Sequence, residues 1–327
     1  MTAAPAGTPY HRLARTERHR WWRPPVATVA AGFGWLVFSI AVGAGLVLAA
    51  SQAGVEPGTG DLLLADPLWD LAAVLLILAL LLPPVLLAAR LVQRRPAGTL
   101  SSVTGRLRWR WLLACLAVAA AAVPLLFSLT AALDAVSGAV AADSTSVAWV
   151  GWPEFLAGAA VLVLLVPFQA AAEEYVFRGW IPQFFGSYLR TPWVGIIVGG
   201  LLFALFHGLG TPWGFADLFL FSFVLGVLVL RTGGLEAAIA FHVVNNLCAL
   251  LLAATFEDGL SDAASASAAD GSWTMLAAEA VVMPLYAWVV LRLSRRFRIE
   301  RISPAPTSLP AEPAAAPDWT KEVYRRP

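Results

Sequence analysis

Long apolar runs separated by short charged clusters divide this chain into about eight segments, each long enough to cross a hydrocarbon core of roughly 30 Å. They lie near residues 26–50, 68–92, 111–133, 154–176, 192–209, 214–231, 235–255 and 274–293. The first run is too long for a signal-peptide core and is read as a retained helix. The pattern therefore predicts an all-α, polytopic integral membrane protein. Its expected parts are a basic N-terminal tail (1–25), a membrane domain (26–298) and a Pro/Ala-rich, disordered C-terminal tail (299–327).

The charges between the runs alternate in kind. Arginines cluster before the first run (Arg12, Arg15, Arg18, Arg20, Arg23) and in loop 93–110 (Arg94, Arg95, Arg106, Arg108, Arg110). They mark the later turns at Arg190 and Arg231 and follow the last run (Arg292, Arg295, Arg296, Arg298). The intervening loops carry Glu56, Asp61 and Asp66, then Asp134 and Asp143, then Glu257, Asp258, Asp262 and Asp270. By the positive-inside rule both termini are expected in the cytoplasm, in a bacterial plasma membrane. Segment 93–110 mixes Arg with Trp. It reads either as an interfacial stretch on the anionic leaflet or as ordinary flanks of a membrane helix.

Composition agrees with the pattern. The 327 residues are 59% hydrophobic and 13% charged, with mean hydropathy +0.73, where a soluble domain carries about a quarter charged residues. The formal net charge of +1 gives no reason to expect a nucleic-acid partner; a lipid bilayer is the expected surrounding. Cys115 and Cys248 lie in apolar runs and read as small core residues.

Ionisable side chains inside membrane spans are costly and functional by default, so the few present carry the chemistry. They are Glu173, Glu174, Arg178, His207, His242, Asn245, Asn246 and Glu279. If the fourth helix continues past Arg178 to about Tyr188, Glu173 and His207 stand at one level across a hairpin, each roughly 25 Å from its turn. His242 and Asn246 are four residues apart and share a helix face. Glu174 and Arg178 have the same spacing in the favourable acid-before-base order, so they are expected to pair and leave Glu173 the freer carboxylate. Asn245 points elsewhere and is expected to act in packing or as hydrogen-bonding glue, and Glu279 is expected to snorkel or cap near the outer end of the last helix.

A carboxylate, two imidazoles and an amide held where water is scarce have the parts for water activation. Imidazoles can orient the water and stabilise an oxyanion, or bind a divalent metal. Glu173, His207 and His242 also match the ligand count of a catalytic zinc site with one open position. Both chemistries stay open on the residues alone.

EEYVFR (173–178), FALFH (203–207) and HVVNN (242–246) fit the motifs EExxxR, FxxxH and HxxxN in that order. In this the chain resembles the family of CAAX prenyl proteases type II and bacteriocin-processing proteins, also called the Abi family of intramembrane endopeptidases. The resemblance covers roughly 150–255. It implies a helical fold around a cavity open toward the cytoplasm, and hydrolysis of a peptide bond in a membrane-associated peptide or protein. It implies Glu173 as the base that activates water, with Glu174 and Arg178 in support. His207, His242 and Asn246 would orient the water and stabilise the oxyanion, or ligate a metal in a metalloprotease description. Prenylated substrates are not carried over, because bacteria generally lack them. Two other readings compete: a catalytically silent scaffold or bacteriocin self-immunity protein, and a proton-coupled transporter. The transporter reading is weakened by the lack of repeated halves.

Overall fold

The apolar runs become helices in the computed structural model, which describes residues 2–56, 58, 62–138, 148–261 and 268–305. In chain order these are α1 (Arg23–Gln52), α2 (Pro67–Ala79), α3 (Leu82–Leu91), α4 (Trp109–Ser137) and α5 (Trp152–Glu174). A π-helical turn (Tyr175–Trp180) leads into α6 (Ile181–Tyr188), and α7 (Trp193–Phe206), α8 (Pro212–Thr232), α9 (Glu236–Ala253) and α10 (Trp273–Arg296) follow. The protein is polytopic and helical. Helices α2 and α3 form one span interrupted before Pro83 and Pro84, whose rings cannot donate to the preceding turn.

Of the eight expected spans, seven are helices long and apolar enough to cross a membrane among the described residues, and the eighth is a shorter apolar helix. The segment expected to be the fifth span is α7, with 14 residues and a length of about 21 Å. It stops where Gly208 and Gly210 adopt positive φ, a conformation glycine reaches without the Cβ clash other residues meet. Helix α5, the π turn and α6 run on as one 37-residue span to Tyr188, which is the long fourth helix expected from the chain.

Helix α1 is almost wholly exposed and shows Val29, Phe33, Val37 and Ile40 outward, as befits a lipid-facing helix. The interior is built around α9, which packs between α4 and α5, while α10 packs between α4 and α8. Phe203, Phe241 and Tyr286 are buried at its centre. The Tyr286 hydroxyl donates to the Ala237 carbonyl at 2.7 Å.

Segment 93–110 is more than a plain helix flank. It folds into the protein, with Leu100, Ser101 and Ser102 buried. Its backbone is satisfied by the α8–α9 turn: Leu235 N–H donates to Ser101 O at 2.9 Å and Val103 N–H to Gly233 O at 2.8 Å. The Arg95 guanidinium is buried and donates to Gln93, Thr99 and Gln183 at 2.5–2.7 Å; burial lowers its pKa to about 10. Arg108 grips Glu236 through two bonds of 2.8 and 2.7 Å, the fork-on-carboxylate geometry arginine favours.

The termini also differ from free tails. Tyr10 and Leu13 are buried, and the Tyr10 hydroxyl donates to the Leu100 carbonyl. Residues 299–305, expected in a disordered tail, pair with this N-terminal segment through Gly7 N–H to Ser303 O and Ser303 N–H to Thr8 O, each 2.9 Å. Apolar anchors and backbone bonds make this pairing, which composition alone does not show. The rest of that tail (306–327), with Asp61, Asp143 and Asp262, lies outside the described residues.

Close packing of α7 on the long span depends on Gly195 and Gly199, spaced as in small-residue membrane helix contacts. A Cβ at Gly199 would stand 2.6 Å from the Phe177 carbonyl oxygen, and one at Gly195 would stand 2.7 Å from the Pro182 Cα. Gly199→Val is expected to lower stability by roughly 1–3 kcal/mol, the usual cost of overpacking. Thermal unfolding in detergent measures this, with Gly45→Ala as the unaffected control because nothing lies within 4 Å of its added methyl.

Candidate active site

Chain geometry brings the polar residues together in a specific way. Just after Glu173 and Glu174 the helix widens into the π turn, and Pro182 follows. Pro182 has no N–H and its ring would strike the carbonyl four residues back, Arg178 O, in a regular helix. A widened turn relieves that conflict, and such turns recur at functional sites.

Glu173, Glu174, Arg178 and His242 are all buried, the Glu174 and Arg178 side chains at 0% and 1% exposure. Glu174 Oε1 lies 2.9 Å from Arg178 Nη1. The same oxygen accepts the Nδ1–H of His242 at 2.7 Å. The expected pairing of Glu174 with Arg178 is present, and His242 joins it. The Arg178 guanidinium also lies over the ring of Phe203, 4.1 Å from its centroid, and 5.3 Å from that of Phe221, a placement that favours a cation in a site poor in water. His242 meets the same two rings edge-on at 5.9 and 5.3 Å.

Glu173 is turned to other partners. Its Oε1 accepts from Gln169 Nε2 at 2.6 Å, and Gln169 Oε1 accepts from Asn246 Nδ2 at 3.2 Å. Its Oε2 lies 3.6 Å from His242 Nε2. Because a carboxylate can only accept, His242 carries its neutral-form proton on Nδ1, toward Glu174, and Nε2 is bare. Two acceptors thus face each other across 3.6 Å, and Glu173 Oε2 has no donor among the described residues.

His207 closes α7. Its Nδ1 lies 2.7 Å from the Phe203 carbonyl, which fixes that nitrogen as the donor and leaves Nε2 as the acceptor in the neutral ring. Two cavities meet at this residue. One, of about 480 Å³, is mostly apolar, lined by Trp35, Val85, Phe177 and Trp180, and includes Glu173 and His207 in its wall. The other, of about 520 Å³, is lined by His207, His242, Asn245, Asn246, Asp217 and Glu279 among others. The structure therefore puts Glu173 and His207 on one cavity, and His207, His242 and Asn246 on the other.

Glu279 is corrected. It does not snorkel but is buried at 2% exposure on α10, facing inward because the α10 face that packs between α4 and α8 carries it. Asn245 donates from Nδ2 to Asn246 Oδ1 at 3.5 Å, within the hydrogen-bonding role expected of it, and it also lines the second cavity. Two polar residues escaped the sequence reading: Gln169, four residues before Glu173 in an uncharged run, and Asp217, a lone carboxylate in the sixth apolar run. Spacing marks the first, and charge within a span marks the second.

The expected zinc ligands Glu173, His207 and His242 do not form a ligand set. Among the described residues no three His, Cys, Asp or Glu side chains are grouped to hold a metal ion. His207 is held on its own helix by the Phe203 carbonyl, with its ring 4.4 Å from that of Phe203. The donor arrangement does not fit a three-ligand metal.

Removing the charge of Glu174 would leave Arg178 buried beside a neutral amide. Breaking a buried pair from one side costs about 3–5 kcal/mol. Glu174→Gln is expected to lower stability by that order in thermal unfolding, and Arg178→Met added to it is expected to restore part of the loss.

Comparison with known proteins agrees with this geometry. Residues 152–248, from α5 to near the end of α9, match the family model described as type II CAAX prenyl endopeptidase Rce1-like. YyaK, an uncharacterized protein of Bacillus subtilis (strain 168), is 29% identical over 194 residues, covering 57% of this chain and 62% of its own length. The chain thus spans under two thirds of that relative. No solved structure gives a significant match. Glu173, Glu174, Arg178, His207, His242 and Asn246 all fall within the matched residues, so the stretch that resembles the Rce1-like type II CAAX prenyl endopeptidases is the one that carries the site.

Proposed function

We propose that the protein is an intramembrane endopeptidase that hydrolyses a peptide bond of a membrane-associated peptide or protein, with water activated by Glu173. The observation that carries this reading is the buried pair of acceptors, Glu173 Oε2 and His242 Nε2, 3.6 Å apart. A water donating to both would have its oxygen's lone pairs free to attack. The family match supports a peptidase in general.

Each group has one task in this scheme. Glu173 takes a proton from water as the oxygen adds to the scissile carbonyl carbon. The tetrahedral intermediate collapses with cleavage of the C–N bond, and the proton on Glu173 passes to the leaving nitrogen. His242 Nε2 accepts the water's second hydrogen and so orients it, and His207, on the wall shared by the two cavities, stabilises the oxyanion from its imidazolium form, which enters and leaves the step with its proton. Gln169 and Asn246 hold the Glu173 carboxylate in place. Glu174 and Arg178 fix the tautomer and position of His242. No step passes through a metal. The arginine clusters support a bacterial plasma-membrane placement with both termini in the cytoplasm.

Purified protein in detergent, mixed with a proteome-derived peptide library and read by mass spectrometry, tests the scheme. Glu173→Gln is expected to lower cleavage by about 10²–10⁴-fold and His207→Ala to lower it strongly, with the Glu173→Gln melting temperature close to wild type. Cleavage by Glu173→Gln at the wild-type rate would overturn the assignment. Turnover is expected to survive metal chelators; chelator-sensitive turnover with one zinc per chain would replace the metal-free scheme.

A further inference from the structure

The larger polar cavity has a second group of ionisable side chains that the hydrolytic scheme does not use. Asp217 stands on α8 and Glu279 on α10, two helices packed against each other. Both are more than nine-tenths buried, at 3% and 2% exposure, and both line the cavity that also holds His207 and His242. Their carboxyls line the same cavity and interact with each other electrostatically. Yet Asp217 Oδ1 and Glu279 Oε1 have no donor among the described residues, and neither residue forms an ion pair there. Two buried carboxylates facing one cavity need a proton or another cation between them.

The rest of the wall supplies no such cation. Its described residues include Asp217, Asp270 and Glu279 but no arginine or lysine. The nearby buried guanidinium, Arg178, is engaged by Glu174 and lies over two phenylalanine rings. A cavity lined by carboxyls of one sign, with low-dielectric walls, attracts positive charge. Its volume of about 520 Å³ falls in the range that holds small ligand groups, roughly 300–1,000 Å³.

We propose that Asp217 and Glu279 form a cation subsite of the endopeptidase, which takes an ammonium or guanidinium group of the peptide while the scissile bond lies at Glu173, His207 and His242. The inference rests on the endopeptidase reading and adds its substrate class: peptides with a basic side chain, or a free N-terminus, at a fixed distance from the cleaved bond. The pair acts as a specificity determinant, because it meets substrate away from the reacting atoms. Asp270, exposed at the cavity wall, adds to the attraction at the rim.

The test profiles cleavage sites in a peptide library, one half N-acetylated and the other with free amines. Wild-type protein is expected to show enrichment of about tenfold or more for Lys or Arg at one position, if a side chain fills the subsite. If the terminal amine fills it, N-acetylation suppresses cleavage to a similar extent. The double variant Asp217→Asn/Glu279→Gln is expected to lose that preference. Cleavage with neither preference, or a preference that persists in the variant, overturns the subsite. Absence of any cleavage would instead sink the endopeptidase reading. In that case a thermal-shift comparison decides the subsite, using an arginine-containing nonapeptide and its citrulline counterpart. Stabilisation by the arginine peptide alone, lost in the double variant, supports the subsite; equal shifts overturn it.

Discussion

A single carboxylate oxygen joins the helices of the candidate site. Glu174 Oε1 neutralises Arg178 at 2.9 Å and accepts from His242 at 2.7 Å, so one atom fixes α9 against the long α5–α6 span. An arginine buried inside a membrane protein is costly without a counter-charge, and here its plane also covers Phe203 on α7 and Phe221 on α8. Four helices therefore depend on one buried charge. Its consequence for chemistry is indirect: with Glu174 occupied, the neighbouring Glu173, one helical step round, is left facing the bare nitrogen of His242.

The division of labour between adjacent glutamates follows from helix geometry together with polarity. Consecutive side chains diverge by about 100°, so the two cannot share one partner set. Glu174 meets a fixed cation and an imidazole N–H. Glu173 meets an amide chain, Gln169 to Asn246, that donates to one oxygen and leaves the other without a donor. A carboxylate held at one oxygen and open at the other is oriented without being neutralised.

Much of this was legible in the chain. Run lengths gave the helices, the spacing of Glu174 and Arg178 gave their pairing, and the long fourth helix to Tyr188 was the version that set Glu173 level with His207. What escaped depended on contacts between distant segments. The burial of segment 93–108 rests on backbone bonds to the α8–α9 turn, which no periodicity announces. Glu279 looked like a terminal residue by its position in the run, whereas the packing of α10 against α8 turns it inward beside Asp217. Asp217 itself was visible as a charge within a span but had no motif neighbour to mark it.

The hydropathy reading went furthest astray at α7, and there the departure has a structural purpose. A helix of 14 residues is shorter than a usual span, so the polar groups of its last turn and of the loop after it need partners within the protein. Segment 268–272 meets that need: Thr211 N–H donates to Ala269 O at 2.9 Å and Thr211 Oγ1 to Gly271 O at 2.5 Å. Glycine at 210 and 214 permits the approach, because a Cβ at either would stand about 2 Å from the Ala269 oxygen. The shortened helix delivers His207 to the boundary of two cavities, one apolar and holding Glu173, the other lined by carboxyls and His242.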